Sequence, residues 1–282
     1  MISARISQKI AFAVLLVFTI IVLVPVIAIL GVLVKNGISS ISWEFLSEMP
    51  RQGMRAGGIF PAIVGTLLLV VGTVLVALPV GVCAAIYLSE YAPKNRLSRI
   101  VRLSIVNLAG VPSIVHGLFG LGLFVLFFGF GTSLLAGWLT LAVLILPVII
   151  TAAEESLRAV PVELREASYA LGATKWQTVR KVVLPSALPG IITGAILGIG
   201  RAAGETAPIL FTVAAFYLPH LPGSIFDQVM ALPYHLYVIA TQVPNVPKEL
   251  QYGTALVLMT LVFGVNLVAI VIRYFYLRTF RW

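Results

Sequence analysis

The sequence predicts an all-α integral membrane protein with six transmembrane helices, and three observations predict it. First, 60% of the 282 residues are hydrophobic and only 10% charged, with a mean hydropathy of +1.07; a soluble domain carries about 25% charged residues. Second, apolar runs long enough to cross a hydrocarbon core fall at about 10–34, 60–88, 104–128, 134–153, 188–216 and 253–275. Third, the basic residues cluster on one side. Of 19 lysines and arginines, Lys35, Arg51, Arg55 and Lys248 fall in the 35–59 and 217–252 loops and Arg201 inside a span; the others lie near the termini or in the 89–103 and 154–187 loops. The positive-inside rule therefore places both termini and those two basic loops in the cytoplasm of a multi-pass cell-membrane protein. The net charge of +9 then reports orientation in membrane lipid, and no nucleic-acid partner is expected. A single transmembrane domain, residues 1–282, accounts for the whole pattern.

Each run has its own reading. Arg5 and Lys9 precede the first, as in a secretory signal, but the run is far longer than a signal's apolar core of about 7–15 residues, and no small-residue cleavage site ends it. It reads as a spanning helix. The second contains Cys83, the only cysteine, a small packing residue that rules out an internal disulfide. The third begins with GVPSIVHGLFGLG at 110–122; His116 is expected to be packed, while Ser113 and Gly117, Gly120 and Gly122 either approach a pathway or let helices pack. The fourth ends at Glu154 and Glu155, which are expected to cap or pair at the interface. The fifth carries Gly190, Gly194, Gly198 and Ala202 at every fourth position, a spacing that permits close helix approach. A further patch, Ile225–Ala240, is interrupted by Asp227, Pro233 and His235 and reads as a surface or re-entrant helix.

Arg201 and Glu205 stand inside the fifth run. An ionised side chain at the bilayer centre costs roughly 2.5–3.5 kcal/mol, so such residues face a partner or a polar cavity. Their spacing predicts one helix face, about 6 Å apart along the axis. Two readings follow: a self-neutralising structural pair, or a solute pathway.

Between the fourth and fifth runs lies PVELREASYALGATKWQTVRKVVLP, residues 161–185. Pro161 suits a first helical position, Glu163 and Glu166 favour N-terminal turns, Gly172 permits a break, Thr174 can cap a second helix, and Leu184-Pro185 is expected to end it. This loop resembles that of type I ABC importer permeases, which reads Glu-Ala-Ala, three residues, Gly, nine residues, Ile, any residue, Leu-Pro. Glu166-Ala167-Ser168, Gly172, Val182 and Leu184-Pro185 stand at those spacings, with Ser168 replacing the second Ala and Val182 replacing Ile. The 110–122 stretch and RAAGETAP at 201–208 are similar to the phosphate-specific, PstA-type members.

The resemblance implies a MetI-like permease fold and the membrane subunit of an ATP-driven importer. Glu163, Glu166, Ala167, Ser168, Gly172, Leu184 and Pro185 would belong to the coupling segment docked on the ATPase. Its implied partners are two copies of an ATP-binding ABC subunit, a second homologous (PstC-like) permease, and an extracytoplasmic phosphate-binding protein received by the 35–59 and 217–252 loops. Arg201, partly offset by Glu205, would grip phosphate through two oxygens at once. No cofactor or metal is implied. No G-x-x-x-x-G-K-[ST] occurs, so ATP is hydrolysed on another chain and this one is not an enzyme. The rival readings are a permease for another oxyanion, such as molybdate or sulfate, and an ion-coupled secondary transporter. The latter has no need of the 163–185 hairpin, and its usual internal repeat is not apparent.

Overall fold

A computed structural model of the chain describes residues 4–279. Helix α1 (Ala4–Gly37) leads through a short helix α2 (Trp43–Ser47) and a hairpin of two-residue strands (Pro50–Arg51, Ala56–Gly57) into α3 (Phe60–Ile86), which ends in a π-helical turn at Tyr87–Tyr91. Then come α4 (Arg96–Ala109), α5 (Ser113–Gly120) with its π-helical extension Leu121–Phe127, and α6 (Leu134–Arg158). The hairpin α7 (Val162–Ala170) and α8 (Lys175–Thr178) follows, then a π-helical stretch (Val179–Val183) and α9 (Leu184–Gly204). The chain closes with α10 (Ala207–Thr212), α11 (Leu232–Thr241) and α12 (Lys248–Thr279). Asn95, Ser133 and Thr174 cap α4, α6 and α8, each side chain accepting the backbone N–H of its helix's third residue; Gln177 returns the bond to the Thr174 N–H.

α6 is the centre of the bundle, packed between α3 and α9, with Leu141, Leu144, Ile145 and Ile149 fully buried. Gly190 and Gly194 lie so close to Ser156 and Ala152 of α6 that a Cβ would overlap them. The small-residue stripe therefore serves packing within this chain.

Among the described residues five helical stretches are long and apolar enough to span: Gln8–Ser40, Phe60–Tyr91, Leu134–Arg158, Lys175–Gly204 and Lys248–Phe275. The expected third span is instead a pair, Arg96–Ala109 and Ser113–Phe127, bent by 105°. Pro112 explains the bend, because it forces the preceding Val111 out of the helical region and has no N–H to continue the ladder. A new apolar helix therefore begins at Ser113, inside the run expected from residue 104. The fifth span also differs from expectation. Its continuous helical stretch begins at Lys175, already within the hairpin, passes through Leu184-Pro185, and stops at Gly204 instead of reaching 216. Pro185 is tolerated near the N-terminus of α9. Pro208 is not tolerated four residues beyond Gly204, where its ring would meet the Gly204 carbonyl, so the helix breaks and α10 restarts with Pro208 in its first turn.

The 225–240 patch does form a helix, α11, but not a surface one. Leu232, His235, Val238 and Ile239 are buried with Val213, Val229 and Met230 in the largest apolar cluster, at the end of the bundle opposite α7. The Leu232 N–H donates to the Thr66 hydroxyl of α3 at 2.8 Å, and Asp227 accepts the N–H groups of Gly223 and Ser224, fixing the turn before it. α1 stands apart: no residue in its most apolar 18-residue window is buried, and it meets α12 near its C-terminal end.

Candidate functional site

The break at Gly204 builds the site. Arg201 occupies the last turn of α9, where the helix dipole favours a cation, and Glu205 is the first residue beyond the helix, its backbone extended. The pair therefore straddles a helix end and does not share a helix face. Arg201 Nε donates to Glu205 Oε1 at 3.3 Å, long for a charge-assisted bond. Neither terminal nitrogen of Arg201 has a hydrogen-bond partner among the described residues, so the outer edge of the guanidinium is open. The Glu205 side chain is more enclosed, at 16% exposure against 34%.

The walls of this break come from three other helices. α5 lies against α10, with Gly117 so near Pro208 and Phe211 that a Cβ would sit 3.0 Å and 2.9 Å from them. His116, next to it, is buried as expected; its Nδ1 lies 3.3 Å from the Pro112 carbonyl, and its Nε2 has no partner among the described residues. α12 contributes Asn266, whose amide presses on Gly200, one residue before Arg201, and whose Oδ1 is also unpartnered. Asn266 was missed from sequence, although a lone amide in the 253–275 run was the available signal.

The second constellation lies at the other end of α9. Glu163 is in the first turn of α7, and Glu163, Glu166 and Ala167 face outward. Ser168 turns inward, its hydroxyl 2.9 Å from that of Thr178, so the departure from alanine ties the two arms of the hairpin together. Gly172 has φ +80°, a left-handed turn that a side chain would strain. Leu171, at 89% exposure, Trp176 and Val162 make an apolar tip. Leu184 and Pro185 are not part of this knob; they lie partly buried within the membrane helix, where Leu184 packs on a cluster around Val183 and Ala187.

Arg165 secures the knob to the bundle. It pairs with Glu90 of the α3 π-turn at 2.9 Å and donates to the Leu157 and Val160 carbonyls at 2.8 and 2.6 Å, capping the C-terminus of α6. Beside it, Glu154 receives Arg102 of α4 at 2.7 Å and Arg158 at 2.6 Å. The Glu154–Arg158 spacing is legible in sequence as an i, i+4 pair; Glu90–Arg165 and Arg102–Glu154 join residues far apart in the chain and leave no local signal.

The chain as a whole is similar to known proteins. The profile of the family described as the binding-protein-dependent transport system inner membrane component matches residues 77–281. The chain belongs to this permease family. It is 38% identical over 277 residues to the phosphate transport system permease protein PstA 1 of Mycobacterium tuberculosis, covering 96% of this chain and 90% of that one. It is 35% identical over 275 residues to the probable ABC transporter permease protein YqgI of Bacillus subtilis, covering 92% and 93%. In fold, the permease resembles a chain of a bacterial ABC transporter that imports alginate (TM-score 0.65, 13% identity, 96% and 97% covered). It also resembles a chain of the inward-facing MetNI methionine transporter (TM-score 0.57, 23% identity, 78% and 94% covered). The MetI-like architecture expected from the loop motif is thus present. The permease is a multi-pass membrane subunit of an ABC importer; it carries out no covalent chemistry, and ATP hydrolysis belongs to a separate subunit.

Proposed function

We propose that this permease forms, with a second homologous permease, the pathway for inorganic phosphate into the cytoplasm. The observation that carries the reading is Arg201: a permanent cation at a helix break inside the membrane, held by one nitrogen and leaving the fork that matches two phosphate oxygens open. The PstA relatives, similar over nearly the whole chain, support phosphate as the oxyanion. Glu205 offsets the charge when the site is empty, so that phosphate is held weakly enough to leave.

The exposed knob of α7, with its apolar tip at Leu171 and Trp176, docks in a groove of the ATP-binding subunit, of which the assembled importer has two copies. An extracytoplasmic phosphate-binding protein is received at the opposite end, by the 35–59 and 217–252 segments. The distribution of basic residues supports a reading with both termini on the ATPase side. ATP closes the paired ATPase subunits, α7 moves with them, and the spans shift between inward- and outward-open arrangements.

The test is uptake of labelled phosphate at micromolar concentration, in cells lacking their own permease and supplied with this chain or with Arg201→Gln. We expect uptake with the unmodified chain, unaffected by excess sulfate or molybdate, and its loss in Arg201→Gln although that variant still inserts and assembles. Competition by molybdate or sulfate would transfer the reading to that oxyanion; full uptake by Arg201→Gln would reduce the pair to packing.

A further inference from the structure

α4 carries a feature that the proposed transport pathway does not account for. An open cleft of about 750 Å³ beside its N-terminal half is lined by Lys94, Arg96, Arg99, Arg102 and Arg158, with Leu103 at its edge. Glu154 already pairs with both Arg102 and Arg158, so one carboxylate answers two of the five cations. Lys94, Arg96 and Arg99 are exposed and have no ion pair or hydrogen bond from their charged groups among the described residues.

The uncovered side of the same helix is apolar further along. Ser98 is buried, whereas Leu97, Ile100, Leu103 and Val106 are all more than half exposed. Arg96, Arg99, Leu103 and Val106 follow at helical spacing, so one face runs from cationic to apolar over about 15 Å toward the bend at Pro112. Charge at one end of a helix face and hydrocarbon at the other is the polarity profile of a phospholipid, from headgroup phosphate to acyl chain.

We propose that α4 and its cleft bind an anionic phospholipid, its phosphate among Lys94, Arg96 and Arg99 and an acyl chain along Leu103 and Val106. Free phosphate shares the headgroup chemistry but gives the apolar half of the face no partner. A protein docked from the aqueous side reaches Lys94 and Arg96 but leaves Val106, at the far end of the helix, uncovered. The site ties lipid to the bundle through Arg102, which holds Glu154 at the end of α6 and donates to the Leu88 carbonyl at the end of α3.

The full chain, purified in mild detergent, is examined by native mass spectrometry with phosphatidylglycerol and phosphatidylcholine of identical acyl chains. Each cation near a phosphate contributes about 1 kcal/mol, or roughly fivefold in binding. We expect phosphatidylglycerol to be favoured on the order of a hundredfold, and the combined variant Lys94→Gln, Arg96→Gln, Arg99→Gln to lose that preference. Arg96→Lys with Arg99→Lys keeps it. The single glutamine substitutions, each expected to lower it about fivefold, read the same property should the combined variant not fold. Millimolar inorganic phosphate leaves the lipid bound. Equal retention of the two lipids, or a preference unchanged by the substitutions, overturns the proposal; displacement by inorganic phosphate reassigns the cleft to the free anion. Weaker co-purification of the ATP-binding subunit with unchanged lipid preference reassigns it to a protein surface.

Discussion

Arg201 and His235 show how much a single side chain's surroundings decide. The guanidinium is engaged at Nε and open at its far edge, so charge and shape can be separated experimentally. Arg201→Lys keeps the cation and removes the two-pronged edge; phosphate uptake measured against concentration should weaken by about tenfold, the equivalent of one lost charge-assisted bond. Uptake at the wild-type level would mean that charge alone suffices. His235 lies in α11, outside the spanning helices, and burial lowers its pKa from 6.5 to about 4. Between those values the unfolded chain binds a proton that the folded chain refuses. Stability is therefore full above about pH 6.5 and falls as pH drops toward 4, by about 3 kcal/mol in all. Melting of the purified chain at pH 7.5 and pH 5 should show the loss, and His235→Leu should flatten it. An unchanged pH dependence in His235→Leu would place the effect elsewhere.

At the scale of elements, motifs confined to a few neighbouring residues were legible and long-range ties were not. Thr174 capping its helix and Gly172 breaking the hairpin follow from side-chain chemistry within four residues, and both were readable. The end of α9 was readable in principle from Pro208, but the apolar run continues past it, and hydropathy is blind to a missing N–H. The bend within the expected third span was hidden for a related reason: a 3.6-residue apolar period describes an amphipathic helix such as α4 as well as the start of a spanning one. Arg165 had no signature at all, because Glu90 is 75 residues away. Its role yields a prediction. Both side chains of the pair are largely buried, at 15% and 9% exposure, and Arg165→Ala strands Glu90 and uncaps α6. We expect roughly 3 kcal/mol of lost stability and a knob no longer held to the bundle, so that ATP hydrolysis by the assembled importer continues while phosphate uptake falls. The combined variant Arg165→Ala, Glu90→Ala should regain part of the stability, read as the melting temperature, without restoring uptake. Equal losses in the single and combined variants would deny the coupling.

The whole molecule is a bundle centred on α6, with α1 left outside it. Composition and basic-residue placement gave the membrane class and number of apolar runs, since both are sums over many residues; which helices touch could not be read, because α1 is more apolar in sequence than α6 and is yet the one left unburied. α1 is unburied within this chain, so its apolar surface faces either lipid or the proposed second permease. Cys83 is unpaired and exposed, so Cys83→Ala should be near-neutral and give a clean background. On it, a photoreactive maleimide attached through Val22→Cys, midway along α1, should cross-link to the second permease in the assembled importer; adducts to lipid alone would leave α1 facing the bilayer. The uninterrupted run from Lys175 to Gly204 has a mechanical consequence. At 1.5 Å per residue it is a rod about 45 Å long, with the α7–α8 hairpin at one tip and Arg201 at the other. Tilting by about 10° around its midpoint would swing each tip by about 4 Å in opposite directions. With the glycines that press it against α6 as fulcrum, a push on the hairpin would become an opposite stroke at Arg201, and no chain of intermediate contacts would be needed to carry the force.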